Sequence, residues 1–188
     1  MSIPIAIFVV AYLLGSIPFG KIIGLTFYGI DIQKRGSGNI GFANVLTHLG
    51  WRAAVPTLIG DVGKGVIATL IAQHYLGNDV AFWAGLTAVL AHIFPVWLKF
   101  RGGKGIATAF GVMLVLAPQA AFVGLVIYLV PYLGFAIESG RAAILALIVL
   151  TLIGQFISPL SWWHYTCFLA IATWTLRDNI RGTIPNMR

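Results

Sequence analysis

Residues 53–76 read AAVPTLIGDVGKGVIATLIAQHYL, an apolar run of the length that an α-helix needs to cross a bilayer. Asp61 and Lys64 stand about ten residues inside this run, where a charged side chain costs about 2.5–3.5 kcal/mol on insertion scales. Their i,i+3 spacing lets them pair on one helix face, and the flanking glycines allow a ligand or a second backbone to come close. The sequence therefore predicts a membrane helix that holds either a structural ion pair or part of a cavity wall.

The rest of the chain is equally apolar. Of 188 residues, 59% are hydrophobic and 9% are charged, and the mean hydropathy is +0.93, whereas a soluble domain has about 25% charged residues. Because a soluble core of this size cannot hide so much apolar surface, the composition predicts an all-α polytopic membrane protein, with residues 1–188 as one domain. We expect about seven transmembrane helices, with six as the main alternative, over residues 3–25, 53–76, 80–98, 103–118, 119–136, 142–157 and 162–176.

The basic residues predict the orientation of these helices. With seven crossings, an N-terminus outside and a cytoplasmic C-terminus, all twelve fall on the cytoplasmic side, as the positive-inside rule requires. Lys21 and Lys64 lie in the cytoplasmic parts of their helices, and the others lie in or beside loops: Lys34, Arg35, Arg52, Lys99, Arg101, Lys104, Arg141, Arg177, Arg181 and Arg188. The net charge of +7 thus needs no nucleic-acid partner. No basic residue precedes the first apolar stretch, which indicates a retained span and not a cleaved signal peptide.

The longest non-apolar stretch, residues 26–52, contains a glycine-rich motif. Gly36-Ser37-Gly38-Asn39-Ile40-Gly41 matches the dinucleotide pattern G-x-G-x-x-G, but a Rossmann site needs a strand before the glycines, and here a membrane helix precedes them. The motif could still form a loop whose amides converge on an anion, with donors from Ser37, Asn39 and Asn44. The alternative is an ordinary cytoplasmic loop with glycines in its turns.

A second motif, Arg101-Gly102-Gly103-Lys104-Gly105, stands where the fourth apolar stretch begins. Unpaired amides at a helix start favour phosphate, and a lysine adds a full positive charge. Thr108 follows one turn later, and His92 and Pro95 precede the motif. The competing interpretation is a flexible positive-inside loop, and for His92 a buried neutral ring. No spacing of His, Cys and acidic residues predicts a metal site.

Taken together, these motifs resemble the bacterial acyl-phosphate:glycerol-3-phosphate acyltransferase family. The matching segments keep the family's order over essentially the whole chain: Gly15-Ser16-Ile17-Pro18-Phe19-Gly20, Gly36-Ser37-Gly38-Asn39, Gly41, Asn44, Asp61, Lys64-Gly65, His92, Pro95, Phe100, Gly102 through Thr108, and Arg177-Asp178-Asn179-Ile180. Three single positions depart from the family, which usually has Arg, Ser and His where Thr47, Ala142 and Leu176 stand. The stretch before Ser139 also departs, because it reads Ala136-Ile137-Glu138 where the family usually has a basic residue and an aromatic one.

The resemblance implies a small enzyme of the bacterial cytoplasmic (inner) membrane, with its active site facing the cytoplasm and no cofactor. Its substrates would be acyl phosphate and glycerol 3-phosphate, and its product lysophosphatidic acid, for phospholipid synthesis. An anion or phosphate-compound transporter is the alternative, although no inverted repeat typical of such proteins is evident.

The motifs and the resemblance together predict the site residues. Lys104 and His92 are the expected catalytic residues, with the acceptor's own phosphate as the other candidate base. The expected substrate-binding residues are Ser37, Gly38, Asn39, Gly41, Asn44, Asp61, Lys64, Gly102, Gly103, Gly105, Thr108, Ser139, Arg177 and Asn179.

Overall fold

The apolar run that contains Asp61 and Lys64 forms one helix, Trp51–Leu76. The structure is a computed structural model, and it describes residues 3–135, 139–158 and 160–177. Within these ranges the chain forms helices and no strands, which confirms the all-α class. The α-helices are α1 Ile3–Gly15, α2 Phe19–Tyr28, α3 Phe42–Leu49, α4 Trp51–Leu76, α5 Asn78–Ile93, α6 Ile106–Leu116, α7 Pro118–Leu129, α8 Ser139–Ile157 and α9 Trp162–Thr175. Shorter helical turns cover Ile32–Lys34, Val96–Leu98 and Val130–Gly134.

The long helices have the dimensions and surface of membrane spans. In the part of the chain that the structure describes, Trp51–Leu76, Asn78–Leu98 and Gly140–Ile157 are long and apolar enough to cross a bilayer, and α1 with α2 adds a fourth, bent candidate. Large apolar side chains such as Ile59 and Leu152 are exposed on these helices, as a lipid solvent requires. The chain is therefore a membrane protein, while the count of seven crossings and their orientation stay predictions.

The chain divides into two compact units, with the boundary between Val115 and Leu116. In the first unit α4 packs against α5, α1, α2 and α3, and α1 also packs against α5. In the second unit α8 packs against both α7 and α9. The glycine-rich motifs at residues 36–44, 61–65 and 101–105 all belong to the first unit, which therefore holds the candidate site described below.

Glycines bring α6 directly onto the backbone of α4. A Cβ placed on Gly65 would lie 2.3 Å from the carbonyl oxygen of Thr108, and one placed on Gly111 would lie 2.2 Å from the carbonyl oxygen of Val62. Small residues are typical of helix pairs in lipid, where close van der Waals packing replaces the hydrophobic effect as the driving force. Gly65 is thus a residue that allows α6 to pack closely on α4.

The first predicted span, residues 3–25, is a pair of helices. Pro18 lacks an amide hydrogen and cannot continue the ladder of α1, so α1 ends at Gly15 and α2 begins at Phe19 with a bend of 41°. The break leaves backbone carbonyls in the interior of the unit without a helical partner. One of them, the carbonyl of Ile17, becomes part of the buried centre described below.

Helix α3 was not predicted, because residues 26–52 were expected to form a cytoplasmic loop. Its apolar residues Phe42, Val45, Leu46 and Leu49 follow the i, i+3, i+4, i+7 pattern of an amphipathic helix, which is a signal that was present in the sequence. Val45 is fully buried in a cluster with residues of α2, of the preceding loop and of α4, namely Ile23, Ile32, Ile40, Ala53 and Ala54. This packing fixes the glycine-rich segment against the first unit.

Asn44 of α3 organises residues 31–41, which we call the Asn44 loop. Its buried side-chain amide donates to the carbonyls of Ile32 at 3.3 Å, Arg35 at 3.1 Å and Asn39 at 2.8 Å. Its Oδ1 accepts the backbone amide of Ser37 at 3.3 Å. Since one side chain satisfies backbone groups at four positions, the loop has a defined shape despite its glycines.

Replacing Gly65 and Gly63 separately tests the close contact between α4 and α6. We expect Gly65→Ala to lower the Tm of the purified protein in detergent, because overpacking against the Thr108 carbonyl costs about 1–3 kcal/mol. Gly63→Ala is the matched control, since a Cβ there meets nothing within 4 Å and alanine favours a helix by about 1 kcal/mol. Equal Tm values for the two variants would contradict the packing.

Replacing Asn44 and Asn39 by aspartate tests the Asn44 loop. Asn44→Asp replaces an amide that donates to three carbonyls by a carboxylate that can only accept. Each buried group left without a partner costs about 1–3 kcal/mol, so the loop should open more often. We therefore expect trypsin to cut after Lys34 and Arg35 at least about ten times faster. Asn39→Asp keeps the oxygen that accepts the Gly41 amide and should leave the rate nearly unchanged. The same cleavage rate in both variants would show that Asn44 does not hold the loop.

Candidate functional site

The second motif forms a loop that is hydrogen-bonded to the end of α5; we call residues 101–105 the glycine-lysine loop. Helix α5 stops at Ile93 because Pro95 follows, and its last carbonyls lack helical partners. The amide of Gly102 donates to the carbonyl of Ile93, and that of Gly103 to the carbonyl of His92, both at 2.9 Å. These two amides therefore fix the position of the loop, and they do not point at a ligand as the motif alone predicted.

The approach to this loop uses unusual backbone conformations. Lys99 and Phe100 both have positive φ, at 53° and 62°, which is uncommon for residues other than glycine and is found where surrounding contacts impose it. The amides of Phe100 and Arg101 donate to the carbonyls of Pro95 and Leu98 at 3.0 and 3.1 Å. The chain thus reverses tightly between the end of α5 and the start of α6.

Lys104 lies between Gly103, whose amide is bonded to the end of α5, and the start of α6. Its side chain is partly exposed, and Gly105, with φ at 81°, turns the chain into α6. Amides of the first turn of a helix and the ammonium of a lysine are both groups that favour anions. Thr108, in the first turn of α6, is fully buried, and its hydroxyl has no hydrogen-bond partner among the residues that the structure describes.

The two loops lie side by side. The side-chain amide of Gln33 donates to the carbonyl of Arg101 at 2.8 Å. The ammonium of Lys21 donates to Gln33 at 2.7 Å and pairs with Asp31 at 3.2 Å, which holds Gln33 in place. Both glycine-rich segments are thereby on one face of the unit, whereas the cytoplasmic location of that face stays a prediction.

A basic cleft of about 670 Å³ opens between the loops. Its lining is Asp31, Gln33, Lys34, Gly38, Leu98, Lys99, Arg101 and Gly102. Three cationic residues face one carboxylate, and Lys21 already neutralises that carboxylate, so the cleft favours anions. Gln33 is a residue that sequence reasoning missed, because a lone glutamine in a loop carries no pattern.

The ion pair predicted in α4 is present and has a third member. Lys64 Nζ lies 2.8 Å from Asp61 Oδ1 and 2.7 Å from His92 Nδ1, and His92 Nδ1 lies 3.4 Å from Asp61 Oδ1. All three residues are at most 3% exposed. Removing one partner of such a buried pair leaves an uncompensated charge, which costs about 3–5 kcal/mol.

Lys64 also connects this centre to the break between α1 and α2. Its ammonium donates to the carbonyl of Ile17 at 2.9 Å and lies 5.8 Å from the centre of the Phe19 ring. The three hydrogens of the ammonium thus have three acceptors on three segments of the chain. The interpretation of Asp61 and Lys64 as a structural pair is therefore supported by contacts, whereas their predicted contact with substrate stays a prediction.

The polar side chains of the Asn44 loop mostly serve the loop itself. The Oδ1 of Asn39 accepts the Gly41 amide at 2.7 Å, and the Ser37 hydroxyl accepts the Asn39 amide at 3.5 Å. Gly36 and Gly38 have positive φ, at 50° and 70°. A Cβ on Gly36 would lie 2.2 Å from His48 Nε2, so His48 packs directly on the loop. Ser37, Gly38, Asn39 and Gly41 remain near the basic cleft as predicted anion-binding residues.

The remaining predicted residues belong to the second unit. Ser139 begins α8, and its side chain is outside what the structure describes, as is the whole of Asn179. The Arg177 guanidinium lies 5.4 Å from the centre of the Trp174 ring. Their predicted contacts with substrate stay predictions.

Of the places that depart from the family pattern, residues 136–138 lie outside what the structure describes, and the side chains at the three single positions are hydrogen-bonded or buried within the protein. The Thr47 hydroxyl donates to the carbonyl of Ala43 at 3.0 Å within α3. Ala142 and Leu176 are fully buried. None of the three offers a cation or a titratable group.

The chain is similar in sequence to curated bacterial proteins. A 126-residue segment is 47% identical to the glycerol-3-phosphate acyltransferase of Anaeromyxobacter dehalogenans and covers 64% of this chain and 63% of that protein. A 109-residue segment is 54% identical to the enzyme of the same name from Cereibacter sphaeroides and covers 58% of this chain and 54% of that protein. The chain thus spans roughly 54–63% of the length of these curated relatives.

Solved structures are similar over nearly the whole chain. Crystal structures of PlsY (YgiH), an integral membrane glycerol 3-phosphate acyltransferase, match with TM-scores of 0.88 for the glycerol 3-phosphate form and 0.86 for the lysophosphatidic acid form. Each is 34% identical and covers 97% of this chain and 92% of the other. The family model described as glycerol-3-phosphate acyltransferase matches residues 5–185. The chain belongs to the glycerol-3-phosphate acyltransferase family.

Proposed function

We propose that this protein moves a fatty acyl group from acyl phosphate to the 1-hydroxyl of glycerol 3-phosphate, which gives lysophosphatidic acid and phosphate. It works as a multi-pass protein of a bacterial cytoplasmic (inner) membrane, in phospholipid synthesis, with both loops facing the cytoplasm. Family membership supports this reaction, as do the two ligand forms in which PlsY was solved. The observation that carries the proposal is the hydrogen bond from Gln33 to Arg101, which joins two cation-bearing loops around one cleft.

The charge at this face suits two phosphorylated substrates. A phosphate monoester carries between one and two negative charges near neutral pH, since its second pKa is about 6. Lys34, Lys99 and Arg101 line the cleft, and Lys104 lies in the adjoining loop. Two phosphates brought together repel each other, so a site with several cations lowers the free energy of the complex with both substrates.

Each loop is assigned one phosphate. Lys104, Gly105 and the first turn of α6 supply a full charge and helix-start amides for one of them. The Asn44 loop supplies Ser37 and the backbone between Gly38 and Gly41 for the other. The buried hydroxyl of Thr108, which lacks a partner among the described residues, lies one turn from Lys104 and could accept a hydrogen bond from a bound water or donate one to a phosphate.

The chemistry needs no covalent bond to the protein. Acyl phosphate is a mixed anhydride, so the acceptor hydroxyl oxygen can form the new ester bond to the acyl carbon while the bond from that carbon to the phosphate oxygen breaks. The electron pair leaves with inorganic phosphate, and the hydroxyl proton passes to a phosphate oxygen. The protein contributes by aligning the two reactants and by stabilising the charge that develops on the leaving group.

The base in this step is the acceptor's own phosphate. Of the two candidates predicted from the sequence, His92 has its Nδ1 2.7 Å from the ammonium of Lys64, which can only donate. A neutral ring whose Nδ1 accepts a hydrogen bond carries its hydrogen on Nε2, so neither nitrogen is available to take a proton from a substrate. The contact therefore favours the phosphate as base.

Activity of the purified protein in lipid vesicles tests the reaction. We expect phosphate release only when acyl phosphate and glycerol 3-phosphate are both present, with lysophosphatidic acid as the acylated product. Glycerol is the matched acceptor without a phosphate and should react poorly, because it leaves one phosphate-binding loop unused. Uptake of glycerol 3-phosphate into sealed vesicles without phosphate release would instead identify a transporter.

Lys104 is tested in the same assay. Lys104→Ala should lower kcat/KM at least about 100-fold, which is the usual effect of removing a donor that stabilises developing charge. Arg52→Ala is the control, since Arg52 is an exposed cation at the start of α4, outside both loops. Comparable activity in the two variants would refute the role of Lys104.

A further inference from the structure

We infer that Asp61, Lys64 and His92 are positioning residues that hold the glycine-lysine loop, and with it Lys104, in the reactive arrangement. The inference rests on the proposed function for its effect on the rate, but the placement of the loop itself can be measured without any activity. It changes the expected roles of all three residues, which the sequence predicted to touch substrate or to act as a base.

The ammonium of Lys64 is the centre of this arrangement. It lies within 2.9 Å of acceptors on Ile17, Asp61 and His92 and is nearly fully buried. An ammonium has three hydrogens, and these three acceptors use all of them. Lys64 is therefore already satisfied by the protein, and a substrate phosphate would have to displace one of these partners.

The contact with Lys64 also determines where His92 carries its proton. Because Nδ1 accepts from the ammonium, the neutral ring has its hydrogen on Nε2. The Nε2 edge lies against the glycine-lysine loop, since a Cβ placed on Gly103 would lie 1.9 Å from Nε2. Position 103 thus requires glycine, and the ring forms the surface on which the loop rests.

The backbone of His92 completes the attachment. Its carbonyl accepts the Gly103 amide at 2.9 Å, next to the bond from Gly102 to Ile93. The side chain of His92 is thus held by α4 while its backbone holds the segment that precedes Lys104. A change in Lys64 should reach Lys104 through His92 and Gly103, although Lys64 does not itself bind substrate.

Two replacements of His92 distinguish a positioning role from catalysis. In His92→Asn, the amide oxygen lies near the place of Nδ1 and no atom takes the place of Nε2. In His92→Leu, no polar atom takes either place. If His92 positions the loop, His92→Asn should retain kcat/KM within about fivefold, the worth of one hydrogen bond. His92→Leu should lose about 100-fold through misplacement of Lys104. The pH dependence of kcat should be unchanged in His92→Asn.

The opposite pattern would overturn the inference. If His92 is the base, His92→Asn is as inactive as His92→Leu, and any residual rate lacks the pH dependence of the unchanged protein. Equal and full activity in both variants would also overturn it, because the hydrogen bond between Lys64 and the side chain at position 92 would then have no role in placing Lys104.

Hydrogen–deuterium exchange in detergent tests the attachment without substrate. We expect Lys64→Met to accelerate exchange of the amides in residues 101–105 at least about tenfold, because the loop loses its buried support. Thr69→Val is the matched control, since it also removes one buried polar group from α4, a hydroxyl whose single hydrogen bond among the described residues is to the Gly65 carbonyl of the same helix. Equal exchange of residues 101–105 in the two variants would refute the inference, even if the protein proves to be an active acyltransferase.

Discussion

The structure of the first unit depends on one buried ammonium group, that of Lys64. Lys64 lies in the middle of an apolar helix, and its charge is tolerated because Asp61 neutralises it and because Ile17 and His92 accept its other hydrogens. A charge in this position cannot be left with a missing partner, since neither lipid nor an apolar core can replace a lost hydrogen bond. Every segment that supplies an acceptor is therefore held to α4 at a fixed distance.

The electropositive face is a consequence of this constraint and of two interrupted helices. Pro18 separates α1 from α2 and frees the carbonyl of Ile17, while Pro95 follows the end of α5 and frees the carbonyls that receive Gly102 and Gly103. Glycines are needed because α6 and the loop approach other backbones too closely for a Cβ. The glycine-lysine motif is thus a packing motif, in addition to its proposed role in binding an anion.

The sequence predicted the helical class, the membrane environment, the family and the pairing of Asp61 with Lys64. These features depend on composition and on short-range spacing, which a single sequence displays. It did not predict α3, although the spacing of Phe42, Val45, Leu46 and Leu49 was sufficient, because the surrounding glycines and charges indicated a loop. It could not predict that Gln33 reaches Arg101 or that Lys64 reaches His92, since these contacts join residues far apart in the chain.

The hydrogen-bond partners of the site residues could likewise not be predicted from the sequence. The motif drew attention to Gly102 and Gly103 as anion-binding residues, but their amides donate to carbonyls at the end of α5, and these partners depend on where α5 ends. Asn44 was expected to be a donor to an anion, and its amide is used by three carbonyls of its own loop. A residue type indicates which hydrogen bonds are available, while the fold decides which partner receives them.

The pairing of Asp61 and Lys64 within a single helix also bears on how the protein enters the membrane. Because the two groups are one turn apart and 2.8 Å from each other, α4 carries its own counter-ion and has no net charge at that depth. Such a helix can leave the insertion machinery before α5 has been synthesised and can acquire its bond to His92 later. The order of residues along the chain is therefore compatible with stepwise biogenesis, in which the contact with His92 forms after the ion pair within α4.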